Sequence, residues 1–258
     1  MMTRYEAWLN KKSLSAIDPA IYIRDIAYDA TRFATTMSDK TGRDGQRVLD
    51  RHARSTSVVI TIEIHEQDVA RRQDVCSRVQ AWAMHGGKLT TNDKHGQQLN
   101  VICDNPPVIT SALKWTQTIK MTFTAYEQPY WEDEYPRSVT LNGSNVTKSL
   151  YVPGIGAMTR VTADVKNVSG GVLNALTLKA GGSTFSFAGL ALASGDALTV
   201  DYDKNGLLRI RVGGVSKMHC RTAESDDDLL IETGKMHEMS VIAGGDVNAV
   251  FEARGLYL

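Results

Sequence analysis

From Val58 to His65 apolar and polar residues alternate with a period of two. Val58, Ile60, Ile62 and Ile64 fall on one side, and Thr61, Glu63 and His65 on the other, the pattern of a strand with one buried face. A second run spans Lys114 to Tyr126, where Trp115, Ile119, Met121, Phe123 and Ala125 oppose Thr116, Thr118, Lys120, Thr122 and Thr124. Its threonine side suits an exposed or edge-on sheet surface. Between these runs the period lengthens. Over Asp68 to His85, Val75, Val79 and Trp82, with Cys76 and Ala83 beside them, make an apolar stripe opposite Arg71, Arg72, Arg78 and Gln80, which predicts a helix. Gly86-Gly87 supplies its stop. A hairpin is expected from Lys88 to Cys103, turning through Asn92 to Gly96 and returning with Leu99, Val101 and Cys103 on one face. The first half therefore reads as a sheet with one helix packed on it.

The second half has a different pattern. Short alternating runs cover Arg160 to Val165, Val172 to Lys179, Thr184 to Leu190, Ala197 to Tyr202, Leu207 to Val212 and Val247 to Arg254. Ser-Gly-Gly, Ala-Gly-Gly, Ser-Gly-Asp, Lys-Asn-Gly and Gly-Gly-Asp separate them, which are turn-forming combinations. Short strands with glycine punctuation and no helical period predict an antiparallel sandwich. Composition shifts at the same place. All four tryptophans (Trp8, Trp82, Trp115, Trp131) precede residue 133, and 16 of the 21 glycines follow it. Between the halves lies YEQPYWEDEYPRS, residues 126–138, where Pro129 and Pro136 flank an acidic aromatic patch. Two domains are expected, 1–133 and 134–258.

Charge and cysteine content remove several function classes. Lys and Arg total 29 and Asp and Glu total 29, and the balance holds within each half, so the cationic excess of a nucleic-acid binder is missing. Cys76, Cys103 and Cys220 are an odd, widely spaced set without a CxxC pair, which suggests neither a disulfide framework nor a thiolate zinc site. Behind MMTRYEAWLN no apolar run follows, so no secretory signal is expected. No stretch approaches the roughly 18 to 20 apolar residues of a membrane span. Synthesis in a reducing cytoplasm is the expectation.

The order of these elements resembles a known family. A long strand, a helix and a hairpin come first; the aromatic-proline phrase FTAYEQPYWED ends that domain; and a glycine-rich sandwich runs to the C-terminus. That sandwich carries VPGIGAMTRVTADV, FAGLALASGDALTVDYDKNG and the closing FEARGLYL. The chain resembles the distal tail proteins of siphophages and prophages. The resemblance implies a mainly β protein whose first domain is a β-sandwich or barrel-like sheet, with one helix and a hairpin, that forms a ring. It implies a galectin-like or carbohydrate-module-like sandwich as the second domain. The function implied is structural and non-enzymatic: a hexameric ring in the virion joining the tail tube to the tail-tip and receptor-binding apparatus. Copies of itself, the tail tube protein, a tail-associated hub or lysin protein and a receptor-binding protein would be its partners. No cofactor, metal or membrane insertion is implied.

Signals for chemistry have plainer readings. Asp201-Tyr-Asp203-Lys-Asn205-Gly206 copies the opening of a calcium loop, but its twelfth position is Val212 rather than Glu and strands flank it. A hairpin turn at Asn205-Gly206 fits better. Asp226-Asp227-Asp228 reads as a solvated loop. His52, His65, His85, His95, His219 and His237 show no ligand spacing, and no GxSxG occurs. Glu63, Glu66, Glu232 and Glu238 read as solvated strand-face or loop residues rather than a glycosidase pair. Gly154-Ile-Gly156 lacks a third glycine and precedes a strand, so it reads as a turn. Sequons at Asn142, Asn145 and Asn167 lack a secretory context.

Candidate interface residues remain. Tyr130, Trp131 and Tyr135 read either as local packing or as anchors for a partner, in which Trp and Tyr are enriched. Arg71, Arg72 and Arg78 on the helix read as a solvated face or a contact with a neighbouring subunit. The rival function is a carbohydrate-binding module attaching to host cell-wall saccharide through the second domain. Against it, that domain has no Trp, and alternation turns most of Phe185, Phe187, Tyr202, Phe251 and Tyr257 inward.

Overall fold

The computed structural model describes residues 5–39, 46–105, 107–112, 115–203 and 206–258. About 62% of the chain is strand, and among the described residues there is one α-helix; the protein is mainly β. It divides into two compact units, 1–132 with 258, and 133–257.

In the first unit the strands are β1 (Ala7–Leu9), β2 (Lys12–Ser13), β3 (Ile21–Tyr28), β4 (Arg32–Asp39) and β5 (Gln46–His65), then, after helix α1 (Val69–Met84), β6 (Gly87–Thr91), β7 (Gln97–Cys103), β8 (Val108–Ala112) and β9 (Thr116–Ala125); a short β10 (Trp131–Asp133) follows. The sheet runs β2-β1-β6-β7-β9-β5-β3, with β4 on β5 and β8 on β9. Its centre is the expected alternating run. Ile60 of β5 lies between Ile26 of β3 and Met121 of β9, and Ile62 between Ile23 and Ile119; all six are buried. Ile21, Ile23 and Ile26 are not evenly spaced. A bulge between Ile23 and Asp25 absorbs the extra residue and returns Ile26 to the core face.

Helix α1 closes this core. Its N-cap Asp68 accepts from Arg71 N at 2.9 Å, and it ends at His85 before Gly86, whose φ of +58 is left-handed. Val75, Val79, Trp82 and Ala83 are buried, and Trp82 meets Phe123 edge to face at 5.9 Å. Three expectations are corrected here. Arg72 belongs to the buried stripe, three residues before Val75 and seven before Val79. Its stem covers apolar surface while Nη1 donates to the Glu66 carbonyl at 2.9 Å. Trp115 precedes β9 and is 49% exposed, and the buried side of β9 begins at Gln117. The β9 run is also interior: it pairs with β5 on one side and with β7 and β8 on the other. Lys114, where that run was expected to begin, lies outside the described residues.

The second unit comprises β11 (Arg137–Val152), β12 (Met158–Asn167), β13 (Leu173–Ala180), β14 (Ser183–Leu192), β15 (Ala197–Tyr202), β16 (Leu208–Val212), β17 (Val215–Ser216), β18 (Leu230–Glu232), β19 (Lys235–Ala253) and β20 (Leu256–Tyr257). Two long strands organise it. β11 and β19 pair along almost their whole lengths, with an irregularity at Gly143/Asn145. Before that bend β19 pairs with β13, through Met239 to Ala243, and after it with β12, through Val247 to Ala253. One layer is thus β14-β13-β19-β11 and the other β11-β19-β12-β15-β16-β17, a sandwich whose layers share two bent strands. Phe185, Leu178 and Val241 from the first layer, and Phe251, Val165, Val200 and Ile210 from the second, lie in one fully buried cluster. Gly244-Gly245-Asp246, expected as a turn between strands, lies inside β19 at the bend. Neither β11 nor the first half of β19 was anticipated.

Asn167 holds the turns at one end of this sandwich. It is fully buried, donates to Gly171 O at 2.8 Å and Leu192 O at 2.9 Å, and accepts from Ser169 N at 2.9 Å and Ser169 Oγ at 2.7 Å. Both amide donors and the carbonyl are satisfied. Asn167→Leu leaves the buried Leu192 carbonyl without its partner and should lower stability by about 1 to 3 kcal/mol, read as a displaced denaturation midpoint for the second unit; an unchanged midpoint would show that water replaces the amide.

Candidate functional site

Beyond the core, the first unit carries a feature that packing does not explain. The second half of β5 is held between β3 and β9, but residues 46–55 pair with β4 alone. Among the described residues β4 in turn pairs with β5 alone. The result is a two-stranded ribbon reaching out from the sheet by roughly 26 Å for its eight-residue strand. Phe33, Met37, Val48 and Leu49 on it are 42 to 58% exposed. Met37 and Val48 are directly opposed across the ribbon. Its register shifts twice, between Arg32 and Phe33 and between Thr36 and Met37, which adds twist. At the root, Thr31 and Thr56 hydroxyls meet at 2.8 Å, Thr56 Oγ1 donates to Pro129 O at 2.6 Å, and Asp29 N donates to Ser57 O at 2.9 Å. A two-stranded ribbon with open edges and exposed apolar side chains is barely stable alone in water and is a natural site for association. No periodic signal announced it, because neither of its faces is buried.

The arginines named from sequence are engaged within the unit. Asp18, in the loop before β3, accepts from Ala20 N at 3.0 Å and Arg78 Nη2 at 2.9 Å, with Arg71 Nη2 at 3.8 Å. Arg78 also reaches Ile17 O at 2.8 Å and Asp74 at 3.0 Å, and Arg71 pairs with Glu66 at 3.1 Å. Arg72 is the buried residue described above. Arg78 and Trp82 border a groove of about 640 Å³ between α1 and the β1–β2 hairpin, with Leu9, Lys12 and Ile17 on its other side. Trp82 Nε1 donates to Lys12 O at 2.9 Å, which fixes the indole there.

The junction aromatics separate by environment. Trp131 is buried and meets Tyr28 edge to face at 5.7 Å, with Lys94 Nζ 5.6 Å from its ring. Burial raises the Tyr28 phenol above its usual range, and its hydrogen bond to Asp93 adds to this. Tyr130 is half-buried, and burial pushes its phenol up. Tyr135 is 72% exposed. Within the second unit Asp133 is buried and accepts from Gly255 N at 3.1 Å and Tyr257 OH at 3.0 Å. A Cβ on Gly255 would come within 2.8 Å of Asp133 Oδ2, so glycine is needed for this clasp.

Other chemical signals resolve into structure. Asp201 is bound by Arg209 and Arg211, and Asp203 accepts from Leu207 N at 2.9 Å, which places the calcium-loop look-alike in a β15–β16 connection. Lys204 and Asn205 of that turn lie outside the described residues. Asp226 Oδ2 accepts from Thr184 N at 2.6 Å. Glu63 pairs with Arg24 and His65, and Glu232 with Lys235. Among the described residues no three His, Cys, Asp or Glu side chains converge as metal ligands, the three cysteines are free and buried, and no helix is long and apolar enough to cross a membrane.

This order of parts, a sheet with one packed helix and a two-stranded ribbon followed by a sandwich on two shared strands, is similar in fold to solved phage proteins. The SPP1 Dit protein, described as a paradigm of the hub adsorption apparatus in phages infecting Gram-positive bacteria, is 8% identical, with a TM-score of 0.72 over 98% of this chain and 99% of that one. A chain of the phage P2 baseplate in its activated conformation with Ca is 9% identical, with a TM-score of 0.53 over 99% and 98%. Its counterpart with Sr is 9% identical, with a TM-score of 0.52 over 97% and 97%. No family model and no curated protein matches the sequence.

Asp18 makes a test of the arginine network. Its carboxyl is held below the ordinary value of 3.8 by the Ala20 N–H first and by Arg78 and Arg71, against burial. A depressed folded value means that its stabilisation is complete above the unfolded value and fades as pH falls through the folded one. Asp18→Asn should therefore lower stability at pH 7 and flatten the acid side of the stability profile below about pH 4, as measured by urea denaturation at stepped pH. An unchanged acid limb would mean that the charge of Asp18 contributes nothing.

Proposed function

We propose that this chain is the structural hub of a long-tailed phage tail tip, a virion protein that acts by assembly and not by chemistry. The observation that carries this is the likeness in fold to SPP1 Dit across both units. The ribbon supports it from the chain's own physics: a protein that closes into a ring needs one surface to meet a different surface on its neighbour, and the ribbon offers open strand edges and exposed apolar side chains. In this reading the first unit forms a hexameric ring. The last tube ring lies on one side of it and the tail-associated hub or lysin protein on the other, and a receptor-binding protein attaches at the periphery. Tyr135, Arg71 and Arg78 are then secondary contacts. Arg72 acts from within the core by holding the start of α1.

Light scattering on purified chain, with negative-stain imaging, should show a six-chain annular particle, alone or when mixed with its tube protein. Met37→Asp with Leu49→Asp should reduce the annular fraction at least about tenfold, since two charges in an apolar contact each cost more than 1.4 kcal/mol, while leaving the unfolding midpoint of the single chain in place. A chain that stays monomeric with the tube protein present would refute the hub reading; rings that form undisturbed by the double variant would refute the role of the ribbon.

A further inference from the structure

Packing of the first unit leaves the groove between α1 and the β1–β2 hairpin unfilled. Its floor is apolar: Leu9 and Trp82 are buried, and Ile17 is half-buried beside them. Its walls are tied together. Trp82 Nε1 donates to Lys12 O at 2.9 Å and Arg78 Nη1 donates to Ile17 O at 2.8 Å, so helix and hairpin are joined across the hollow. In the hairpin turn Asn10 and Lys11 take φ of +52 and +65, a conformation uncommon for residues other than glycine. Asn10 secures it, because its side-chain amide donates to Gly86 O at 2.8 Å and its side-chain carbonyl accepts from Lys88 N at 3.0 Å. The space of about 640 Å³ therefore has fixed walls, and its size is that of a binding site.

Charge at the rim is one-sided. Arg78 is neutralised by Asp18 and Asp74. Lys12 and His85 also line the groove, and Asn10 brings Lys11 and Lys88 to its edge, with Asn10 N donating to Lys88 O at 2.8 Å. Lys11, Lys12 and Lys88 enter no ion pair among the described residues. The end of α1 carries about half a negative charge, which three lysines exceed. An apolar floor under a cationic rim fits an aromatic side chain with a carboxylate next to it.

The chain presents such a group. Glu134, Tyr135 and Pro136 link β10 to β11. At 72%, Tyr135 is the most exposed large apolar or aromatic side chain among the described residues, and its hydroxyl has no partner among them. The link itself is ordered: Asp133 N donates to Gly255 O at 3.1 Å, Arg254 Nη1 donates to Glu134 O at 2.6 Å, and Pro136 narrows the backbone choices of Tyr135. An aromatic ring held out in water by a fixed backbone loses little freedom on docking. The Glu134 carboxylate enters no ion pair among the described residues. The ribbon suits the groove less well, since residues 32–55 carry six Lys and Arg against three Asp and like charges would meet at the rim.

We propose that the groove receives Tyr135 of a second copy of this chain, with Glu134 of that copy set against Lys12. The inference rests on the hub reading only in requiring that copies meet. Knob and groove are different surfaces, so the contact is heterologous and passes from copy to copy, as ring closure requires. Tyr, Trp and Arg are also the side chains that most often dominate protein contacts, and Trp82 and Arg78 are already fixed in place to meet the incoming ring.

The test places a photo-crosslinking phenylalanine analogue at position 135, which keeps the aromatic ring. Isotope-labelled and unlabelled full chains are mixed at high concentration, alone and with the tube protein, and irradiated. Mass spectrometry should find position 135 joined to residues 9–17 or 78–85 of a different copy. Lys12→Glu and Glu134→Lys should each lower that yield roughly fivefold with the unfolding midpoint unchanged, and the two together should recover it. Joining only within one chain, to other residues, to the tube protein alone or not at all would overturn the proposal, as would failure of the paired variants to recover the yield. Joined copies without any annular particle would leave this contact standing and remove the hub reading; annular particles in which position 135 joins nothing in the groove would do the reverse.

Discussion

The first unit depends on the register of β5. Ile60, Ile62 and Ile64 face the core only in the pairing that sets them beside Ile26, Ile23 and Ile21 on β3. Burying each contributes roughly 1.5 to 3 kcal/mol, so a one-residue slip, which turns all of them outward, would remove much of the 5 to 15 kcal/mol that usually holds a domain together. The bulge in β3 belongs to the same constraint, since without it Ile26 would point to water. Helix α1 then has a fixed surface to cover, and Trp82 settles against Phe123 because β9 is locked to β5.

That constraint ends where the partners of β5 end. Past Thr56 the strand continues with β4 as its sole neighbour among the described residues, and the chain leaves the core without losing its hydrogen-bonded form. One strand thus serves two purposes, with half of it specified by burial and half free to meet something else. The root contacts of Thr31, Thr56 and Asp29 set the direction in which the free half departs. The cations of α1 are largely spent on Asp18, Asp74 and Glu66. They stiffen the unit more than they advertise charge, in keeping with a chain whose net charge is zero.

The second unit solves its packing problem differently. β11 and β19 are long enough to serve both layers, and the bend near Gly143 lets the pair pass from one to the other. A sandwich joined this way has its inner faces filled by Phe185, Phe251 and their neighbours, which leaves the outward face of the larger layer to polar side chains. On that face Arg209 and Arg211 hold Asp201, and Thr162, Asp164, Thr199 and Glu252 line a shallow hollow beside it.

The sequence by itself determined the elements whose side chains meet two environments. The β5 core segment, β9, the stripe of α1 with its Asp68 and Gly86 ends, the β6–β7 hairpin and most strands of the sandwich are legible because burial on one side and water on the other write a period into the chain. Tertiary structure decided everything that lacks such contrast. The ribbon has no buried face and so no alternation; β11 and the first half of β19 hide behind glycines that read as turns but serve as a bend; Arg72 sits on the apolar stripe because its stem can be buried while its head finds the Glu66 carbonyl. The face holding Asp164, Asp201 and Glu252 is assembled from three strands far apart in sequence. Register between strands is a property of pairing, which a single strand's periodicity does not contain.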